Sequence, residues 1–188
     1  MSKPILFCDF DGTICFDRYW RSLPPEQYAA VQQLVFGADK QVVNDWMRGE
    51  YTAEEVNQFV SKQIGVPYDE LCNLFVQDCV SMRIEPEVLR ALGRIRDAYT
   101  TVLITGNMDS FSRFTVPALK LEQYFDYVSN SYFEGKHKTN NNGALFFEWI
   151  ERLDGDIQEC VLLDDQDKVC DLFRQLGGQV RRVTPTED

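Results

Sequence analysis

Hydrophobic and polar positions along the chain fall into two kinds of stretch. Short runs rich in apolar residues, which predict strands, occur at 5–8, 101–104, 125–129, 160–163 and 179–183. Most of the sequence between them places apolar residues three or four positions apart, which predicts helices. The run Ile5–Cys8 is apolar at every position, as is typical of a strand covered on both faces of a parallel sheet. The alternation of strands and helices therefore predicts an α/β fold with three layers and right-handed crossovers.

One helical stretch is much longer than the others. It follows the first strand, from Pro25 to about Arg83, and glycines at 37, 49 and 65 divide it into about four helices. A bundle of this size, inserted directly after the first strand, predicts two parts. Residues 1–16 and 84–188 are expected to form a Rossmann-like core around the parallel sheet, and residues 17–83 an all-helical cap.

The overall charge narrows the range of partners. The 188 residues include 19 Lys and Arg against 30 Asp and Glu, a formal net charge of −11, with no cluster of basic residues. We therefore expect no nucleic-acid or anionic membrane surface, because such binding needs concentrated cations.

No apolar run is long enough for a signal peptide or a membrane span, which favours a cytoplasmic protein. The six cysteines form no Cys-x-x-Cys pair, so buried free thiols are expected.

Polar residues suited to catalysis follow three of the predicted strands. They are Asp9 and Asp11 after the first strand, Thr105, Gly106 and Asn107 after the second, Asp164 and Asp165 after the fourth, and Lys138 on a loop. The carboxyl ends of parallel strands share one edge of the sheet, so these side chains are expected to meet. Four carboxylates in one place repel one another unless a divalent cation joins them. Oxygen ligands of this kind suit Mg²⁺, which would in turn attract a phosphate.

The order of these residues resembles the motifs of the haloacid dehalogenase-like (HAD) hydrolase superfamily. The matching motifs are Asp9-x-Asp11-Gly12-Thr13, then Thr105-Gly106-Asn107, then Lys138, then Asp164-Asp165. The segment from Phe125 to Lys138 is also similar to that family's approach to its motif lysine. The resemblance covers the whole chain in order, and it points to the phosphatase branch with a helical cap inserted after the first motif.

The resemblance implies a phosphomonoesterase that acts on a small phosphorylated metabolite. In such a mechanism Asp9 attacks the phosphorus and forms an aspartyl-phosphate, while Asp11 protonates the leaving oxygen and later deprotonates water. Mg²⁺ is expected on the Asp9 carboxylate, the backbone carbonyl of Asp11 and an acid of the Asp164–Asp165 pair. The groups expected to hold the phosphoryl oxygens are Thr105, the amide of Gly106 and Lys138.

For three of these assignments the sequence leaves two alternatives. Lys136 competes with Lys138 for the lysine role, although the spacing of the motif favours Lys138. Asp165 is favoured over Asp164 as the direct metal ligand, with the reverse order left open. Asn107 either contacts the substrate or helps to start the following helix.

Other residues near the motifs have simpler interpretations. His137, the single histidine, is expected to be an ordinary loop residue, and Asp109 is expected to cap its helix. Phe146, Phe147 and Trp149 are expected in the core. Additional candidates for substrate contacts are Arg18, Tyr19 and Arg21 in the linker and Arg48–Tyr51 in the bundle.

Alternative functions stay open on the sequence alone. The superfamily that the chain resembles includes dehalogenases, phosphotransferases and phosphonate-cleaving enzymes. The last group forms a Schiff base with a cap lysine, for which the bundle offers Lys40 and Lys62. Asp11 argues against a dehalogenase, because a departing halide needs no proton. A non-catalytic phospho-acceptor or binding protein is a further alternative, but a receiver domain has no need for a helical insertion of about 60 residues. The sequence indicates neither the particular substrate nor the oligomeric state.

Overall fold

The computed structural model describes residues 3–37 and 39–184. Within these ranges a five-stranded sheet forms the centre of the fold. Its strands are β1 Ile5–Cys8, β2 Thr100–Thr105, β3 Tyr127–Asn130, β4 Val161–Asp164 and β5 Gln179–Arg182. Their spatial order is β3-β2-β1-β4-β5, and every neighbouring pair is parallel. The predicted parallel α/β sheet is confirmed.

The central strand β1 determines where a ligand site can form. Phe7 lies in register with Val102 of β2 and Leu162 of β4, and none of the three is accessible to solvent. The strand order reverses between β1 and β4, since β2 and β3 lie on one side of β1 and β4 and β5 on the other. Ligands bind beside the carboxyl ends of strands at such a reversal. Asp9 and Asp164 occupy these two strand ends.

Helices connect the strands. Those between β1 and β2 are α1 Pro25–Phe36, α2 Gln41–Trp46, α3 Ala53–Ile64, α4 Tyr68–Val80 and α5 Pro86–Ile95. The later connections contain α6 Val116–Leu119, α7 Ser131–Glu134, α8 Ala144–Arg152 and α9 Asp167–Gln175. The helix that begins near Asp109 includes a π-helical turn, Phe111–Thr115, before α6. None of the helices described is long and apolar enough to cross a bilayer.

Hydrophobic clusters cover both faces of the sheet. Because side chains alternate along a strand, Leu103 of β2 belongs to one cluster and Val102 to the other. On the Val102 face, Phe7 meets Phe146 of α8 edge to face, with ring centroids 5.3 Å apart. Phe147 is 43% exposed, so the prediction that it belongs to the core was wrong.

The inserted helices contribute to the cluster on the opposite face. Trp20, Trp46 of α2 and Phe75 of α4 pack with their ring centroids within 6.1 Å of one another. They belong to the same cluster as Phe10, directly after β1. The insertion and this face of the sheet therefore share one continuous hydrophobic core.

A buried carboxylate also joins the insertion to the segment after β2. Asp109 accepts hydrogen bonds from the Trp46 indole at 2.8 Å and from the Ala53 amide at 3.2 Å. It pairs with Arg113 at 2.7 Å, and Arg113 also contacts Glu54. The prediction that Asp109 caps its own helix was wrong, because its carboxylate satisfies the first amide of α3 instead. The sequence gives no sign of this partner, which is 56 residues away.

Candidate functional site

The end of β1 places a carboxylate at the middle of the sheet edge. The amide of Asp9 donates to the carbonyl of Leu163 in β4 at 2.9 Å, which continues the ladder one residue beyond the strand. Its carboxylate accepts a 2.8 Å hydrogen bond from the Phe10 amide. The side chain is only 2% exposed. A buried carboxylate needs further partners, because burial disfavours its charge.

Lys138 supplies the main positive charge of the site. Its Nζ lies 2.8 Å from Oδ2 of Asp9 and 2.5 Å from Oδ2 of Asp164, and all three residues are buried. Burial alone would lower the pKa of Lys138, but the two carboxylates raise it, so the ammonium form is favoured. Lys136 instead pairs with Glu148 at 2.5 Å. The structure thus brings Lys138, and not Lys136, to the strand ends.

Three carboxylates converge closely enough to share one cation. Asp9, Asp164 and Asp165 each offer an oxygen, and these oxygens lie within 4.8 Å of one another. Both oxygens of Asp164 have partners, since Oδ1 accepts from the Gln166 amide and Oδ2 from Lys138. Oδ1 of Asp165 is buried without a hydrogen-bond partner among the described residues. Burial, with the charge of Asp9, raises the pKa of Asp165. A hard divalent cation would satisfy this oxygen and remove the repulsion, so the residues fit Mg²⁺.

The glycine after Asp11 is required for this convergence. Gly12 has φ +77°, a conformation that side-chain-bearing residues rarely adopt. A Cβ atom at this position would also lie 2.5 Å from Oδ2 of Asp165. The missing side chain therefore lets the loop after β1 approach the loop after β4.

A chain of two hydrogen bonds positions Asp11. Asn107 donates from Nδ2 to Oδ2 of Asp11 at 2.7 Å, and its Oδ1 accepts from the Tyr19 hydroxyl at 2.7 Å. Burial, followed by the charge of Asp9, raises the pKa of Asp11 to about 7 in the absence of metal. Tyr19, one of the candidate substrate contacts, is buried, and its hydroxyl bonds to Asn107. The sequence gives no signal for its role, because its partner lies 88 residues away.

The remaining predicted residues lie at the same edge. Thr105 is buried at the end of β2, with Oγ1 3.5 Å from Nδ2 of Asn107. The backbone amide of Asn107 donates to the Ser131 hydroxyl, which holds the loop after β2 against α7. Gly106 lines the same cavity as Asp9. All eight residues singled out in the sequence are thus gathered at the carboxyl ends of β1, β2 and β4.

A cavity of about 470 Å³ opens above these residues. One part of its wall comes from the insertion and consists of Phe36, Lys40, Val43, Asn44 and Met47. The rest comes from the segments that follow the strands, including the first turn of α9, and contains Gly106, His137, Lys138, Gln166 and Lys168. His137 therefore has a place in the site that the sequence did not indicate, and its Nε2 is buried without a partner among the described residues.

The other candidate substrate contacts do not line this cavity. Arg21 bonds to the carbonyl of Asp78 and the hydroxyl of Ser81. Arg48 pairs with Asp45 at 2.5 Å. Tyr51 lines a separate cavity of about 270 Å³. Neither these residues nor Arg18 are among those that line the cavity above Asp9.

The strand order, the helical insertion after β1 and the position of the acids define an α/β protein with the fold of the HAD family. A HAD-family enzyme from Bacteroides thetaiotaomicron, solved in complex with magnesium and inorganic phosphate, has a TM-score of 0.75 to this chain at 20% identity, covering 100% of this chain and 97% of that one. A HAD-like family hydrolase from Porphyromonas gingivalis has a TM-score of 0.68 at 19% identity, covering 100% and 94%.

Dehalogenases have the same architecture. The L-2-haloacid dehalogenase from Xanthobacter autotrophicus, solved with chloropropionic acid covalently bound, has a TM-score of 0.66 at 15% identity, covering 97% of this chain and 78% of that one. No protein-family model matches the chain, and no curated protein does. At these identities the likeness establishes the HAD fold, which the motifs had predicted, and the chemistry must be argued from the site.

Proposed function

We propose that the protein is a Mg²⁺-dependent phosphomonoesterase that forms an aspartyl-phosphate on Asp9. The observation that carries this proposal is the surroundings of Asp9. Its carboxylate lines the cavity, lies 2.8 Å from the Lys138 ammonium and shares a carboxylate cluster with Asp165, whose Oδ1 has no hydrogen-bond partner among the described residues. A nucleophile beside fixed positive charge is the arrangement that phosphoryl transfer requires.

The metal would be held by the Asp9 carboxylate, the backbone carbonyl of Asp11 and the Asp165 carboxylate. Asp164 would position Lys138 and would not bind the metal directly, since its two oxygens already accept hydrogen bonds from Lys138 and the Gln166 amide. When bound, Mg²⁺ would supply charge that neutralises the acids and the phosphoryl oxygens. The magnesium and phosphate bound by the Bacteroides enzyme of the same fold support this choice of ion.

We assign each step of the proposed reaction to a residue of the chain. The Asp9 carboxylate attacks phosphorus while the bond to the leaving oxygen breaks, and Asp11 gives that oxygen a proton. Asp11 then takes a proton from water, which attacks the aspartyl-phosphate, releases phosphate and restores Asp9. Lys138, Thr105 and the Gly106 amide would bind the phosphoryl oxygens. Asn107 would orient Asp11 through its 2.7 Å hydrogen bond.

Asp11 is also the residue that favours a phosphatase over a dehalogenase. An alkoxide needs a proton as it departs, whereas a halide does not. A half-buried acid at the cavity, fixed by Asn107, has a use in the first reaction only.

The inserted helices would act as the cap. We infer the division made from the sequence, with residues 1–16 and 84–188 as the catalytic core and residues 17–83 as the cap. Support comes from Lys40 and Asn44, which face the cavity from the insertion. A wall of this kind can exclude water from the reacting groups.

Hydrolysis of p-nitrophenyl phosphate tests the proposal directly. We expect release of nitrophenol with Mg²⁺ and its loss with EDTA or in Asp9→Asn. Asp97→Asn, an exposed aspartate outside the site, is the control and keeps wild-type activity. Acid quenching followed by mass spectrometry is expected to find phosphate on Asp9. Absence of turnover with Mg²⁺, or unchanged turnover in Asp9→Asn, contradicts the assignment.

A second candidate function has one observation in its favour. Of the two cap lysines that a phosphonate-cleaving enzyme could use, Lys40 lines the cavity and Lys62 does not. In that reaction the Lys40 amine would condense with a substrate carbonyl, releasing water and forming an imine. Borohydride with a phosphonoaldehyde would then label wild type and Lys62→Gln but not Lys40→Gln. No labelling of the wild type excludes this candidate.

A further inference from the structure

Two positive charges at the cavity have no use in the proposed hydrolysis. Lys40 lines the cavity from the connection between α1 and α2, and Lys168 lines it from the first turn of α9. Neither lysine has an ion-pair partner in residues 3–37 and 39–184. They come from the two parts of the chain that form the cavity wall, one from the insertion and one from the sheet side.

Two other cations of this region already have carboxylate partners. Lys138 lies between two carboxylates, and Arg48 pairs with Asp45 at 2.5 Å. Among the cavity-lining residues in the described part of the chain, Asp9 and Asp11 are the only carboxylates, and both have roles in the reaction. Unbalanced lysines therefore line a cavity in a protein whose net charge is −11.

We propose that Lys40 and Lys168 form a subsite for a second anionic group of the substrate. This inference rests on the proposed phosphatase function and names its substrate class: a phosphomonoester that also carries a carboxylate or a second phosphate. Lysine suits either group, because it is a compact charge on a flexible stem. Phe36, Val43 and Met47 supply an apolar wall for the carbon skeleton that joins the two anions.

Matched substrate pairs test the subsite and identify the anion. Glycerol 3-phosphate and 3-phosphoglycerate differ by a carboxylate, and fructose 6-phosphate and fructose 1,6-bisphosphate differ by a phosphate. For the pair with the correct anion, we expect kcat/KM to be about tenfold higher for the member with the second charge. Equal values within both pairs, in an enzyme that hydrolyses p-nitrophenyl phosphate, would overturn the proposal.

Variants assign the effect to these lysines. Lys40→Gln and Lys168→Gln are each expected to reduce the preference for the doubly charged member, measured as the ratio of kcat/KM values within the pair, about threefold or more, and to lower hydrolysis of p-nitrophenyl phosphate by a smaller factor. Lys120→Gln is the control for Lys40→Gln. Both lysines have a positive φ, but Lys120 lies outside the cavity. A preference that survives in the double variant Lys40→Gln/Lys168→Gln means that the subsite is elsewhere.

A binding measurement separates this proposal from the hydrolysis itself. Isothermal titration of Asp9→Asn with each pair, in MgCl₂, reports affinity without turnover. Tighter binding of the doubly charged member supports the subsite if it is lost in the triple variant Asp9→Asn/Lys40→Gln/Lys168→Gln. This result would support the subsite even if p-nitrophenyl phosphate is not hydrolysed. Equal or undetectable binding of both members in both pairs contradicts it.

Discussion

The hydroxyl of Tyr19 donates a 2.7 Å hydrogen bond to Oδ1 of Asn107, whose Nδ2 donates to Asp11 at the same distance. Tyr19 stacks on Phe75 of α4, with ring centroids 5.7 Å apart. An aromatic ring packed among the inserted helices therefore fixes the amide that contacts the proposed acid. The link makes Tyr19 a positioning residue that does not itself contact the reacting atoms.

Replacement of Tyr19 by Phe is expected to lower kcat about three- to tenfold with little change in KM, because one hydrogen bond is worth about 0.5–1.5 kcal/mol. The ring and its packing on Phe75 are retained, so the fold stays intact. The matched control is Tyr28→Phe, which removes a hydroxyl without a hydrogen bond among the described residues from the same hydrophobic cluster. Equal kcat values for Tyr19→Phe and the wild type would show that Asn107 needs no support.

Gly12→Ala is expected to destabilise the protein and to weaken Mg²⁺ activation. The new methyl group would meet Asp165 at 2.5 Å, in addition to the strain of φ +77°. Gly65→Ala is a close control, since φ is +71° there and no atom lies within 4 Å of the added carbon. We expect both variants to lose about 1 kcal/mol from backbone strain.

The two alanine variants are compared by urea unfolding and by titration of activity with MgCl₂. Only Gly12→Ala should need a higher Mg²⁺ concentration for half-maximal activity. A similar shift in Gly65→Ala would mean that the effect comes from general destabilisation and not from the position of Asp165.

Lys138→Gln is expected to cost about 3 kcal/mol of stability, because it leaves two buried carboxylates without their cation. Lys136→Gln removes a partly exposed pair with Glu148 and should cost less than about 1 kcal/mol. Urea unfolding at pH 7 without metal measures both. Only the first variant should also lose phosphatase activity. Comparable losses in the two variants would contradict the assignment of Lys138 to the site.

Asp126 provides a pH-dependent contribution to stability away from the site. Burial alone would raise its pKa, but hydrogen bonds from the Thr101 amide and hydroxyl and from Arg96 lower it. Because the folded pKa is the lower one, the unfolded chain binds the proton first as pH falls. The stabilisation is therefore complete above the unfolded pKa of about 3.9 and is lost as pH falls through the folded value.

Asp126→Asn is accordingly expected to destabilise the protein by about 1 kcal/mol at pH 7, since the residue is exposed and its interactions are screened by solvent, and by less at pH 3. Urea unfolding at the two pH values gives the comparison. Asp97→Asn, at an exposed aspartate, should show no such difference. The same loss at both pH values would show that the charge of Asp126 contributes nothing.

Local patterns were sufficient for much of the architecture. The apolar run at β1 and the later strand runs gave the sheet, because a strand buried on both faces must be apolar at successive positions. The order of the motif residues predicted which side chains meet, since the carboxyl ends of parallel strands share one edge. These relations depend on spacing along the chain and on the geometry of a parallel sheet.

The roles of individual side chains were harder to predict from the sequence. Asp109 lies at a position in the sequence that is typical of a helix cap, yet its carboxylate bonds to Trp46 and Ala53 in the insertion. His137 has no motif around it, yet it lines the cavity. Each outcome depends on where distant helices pack, which short-range patterns do not encode.

By itself, the sequence determined the parallel α/β fold, the helical insertion and the set of residues at the strand ends. Only the tertiary structure decided that Lys138 rather than Lys136 reaches Asp9, that Asp165 keeps an oxygen without a partner, and that Lys40 and Lys168 line one cavity. The physical reason is that hydrophobic periodicity specifies which face of an element is buried. Hydrogen bonds and ion pairs between distant segments depend instead on distances of a few ångströms, which are fixed only when those segments pack together.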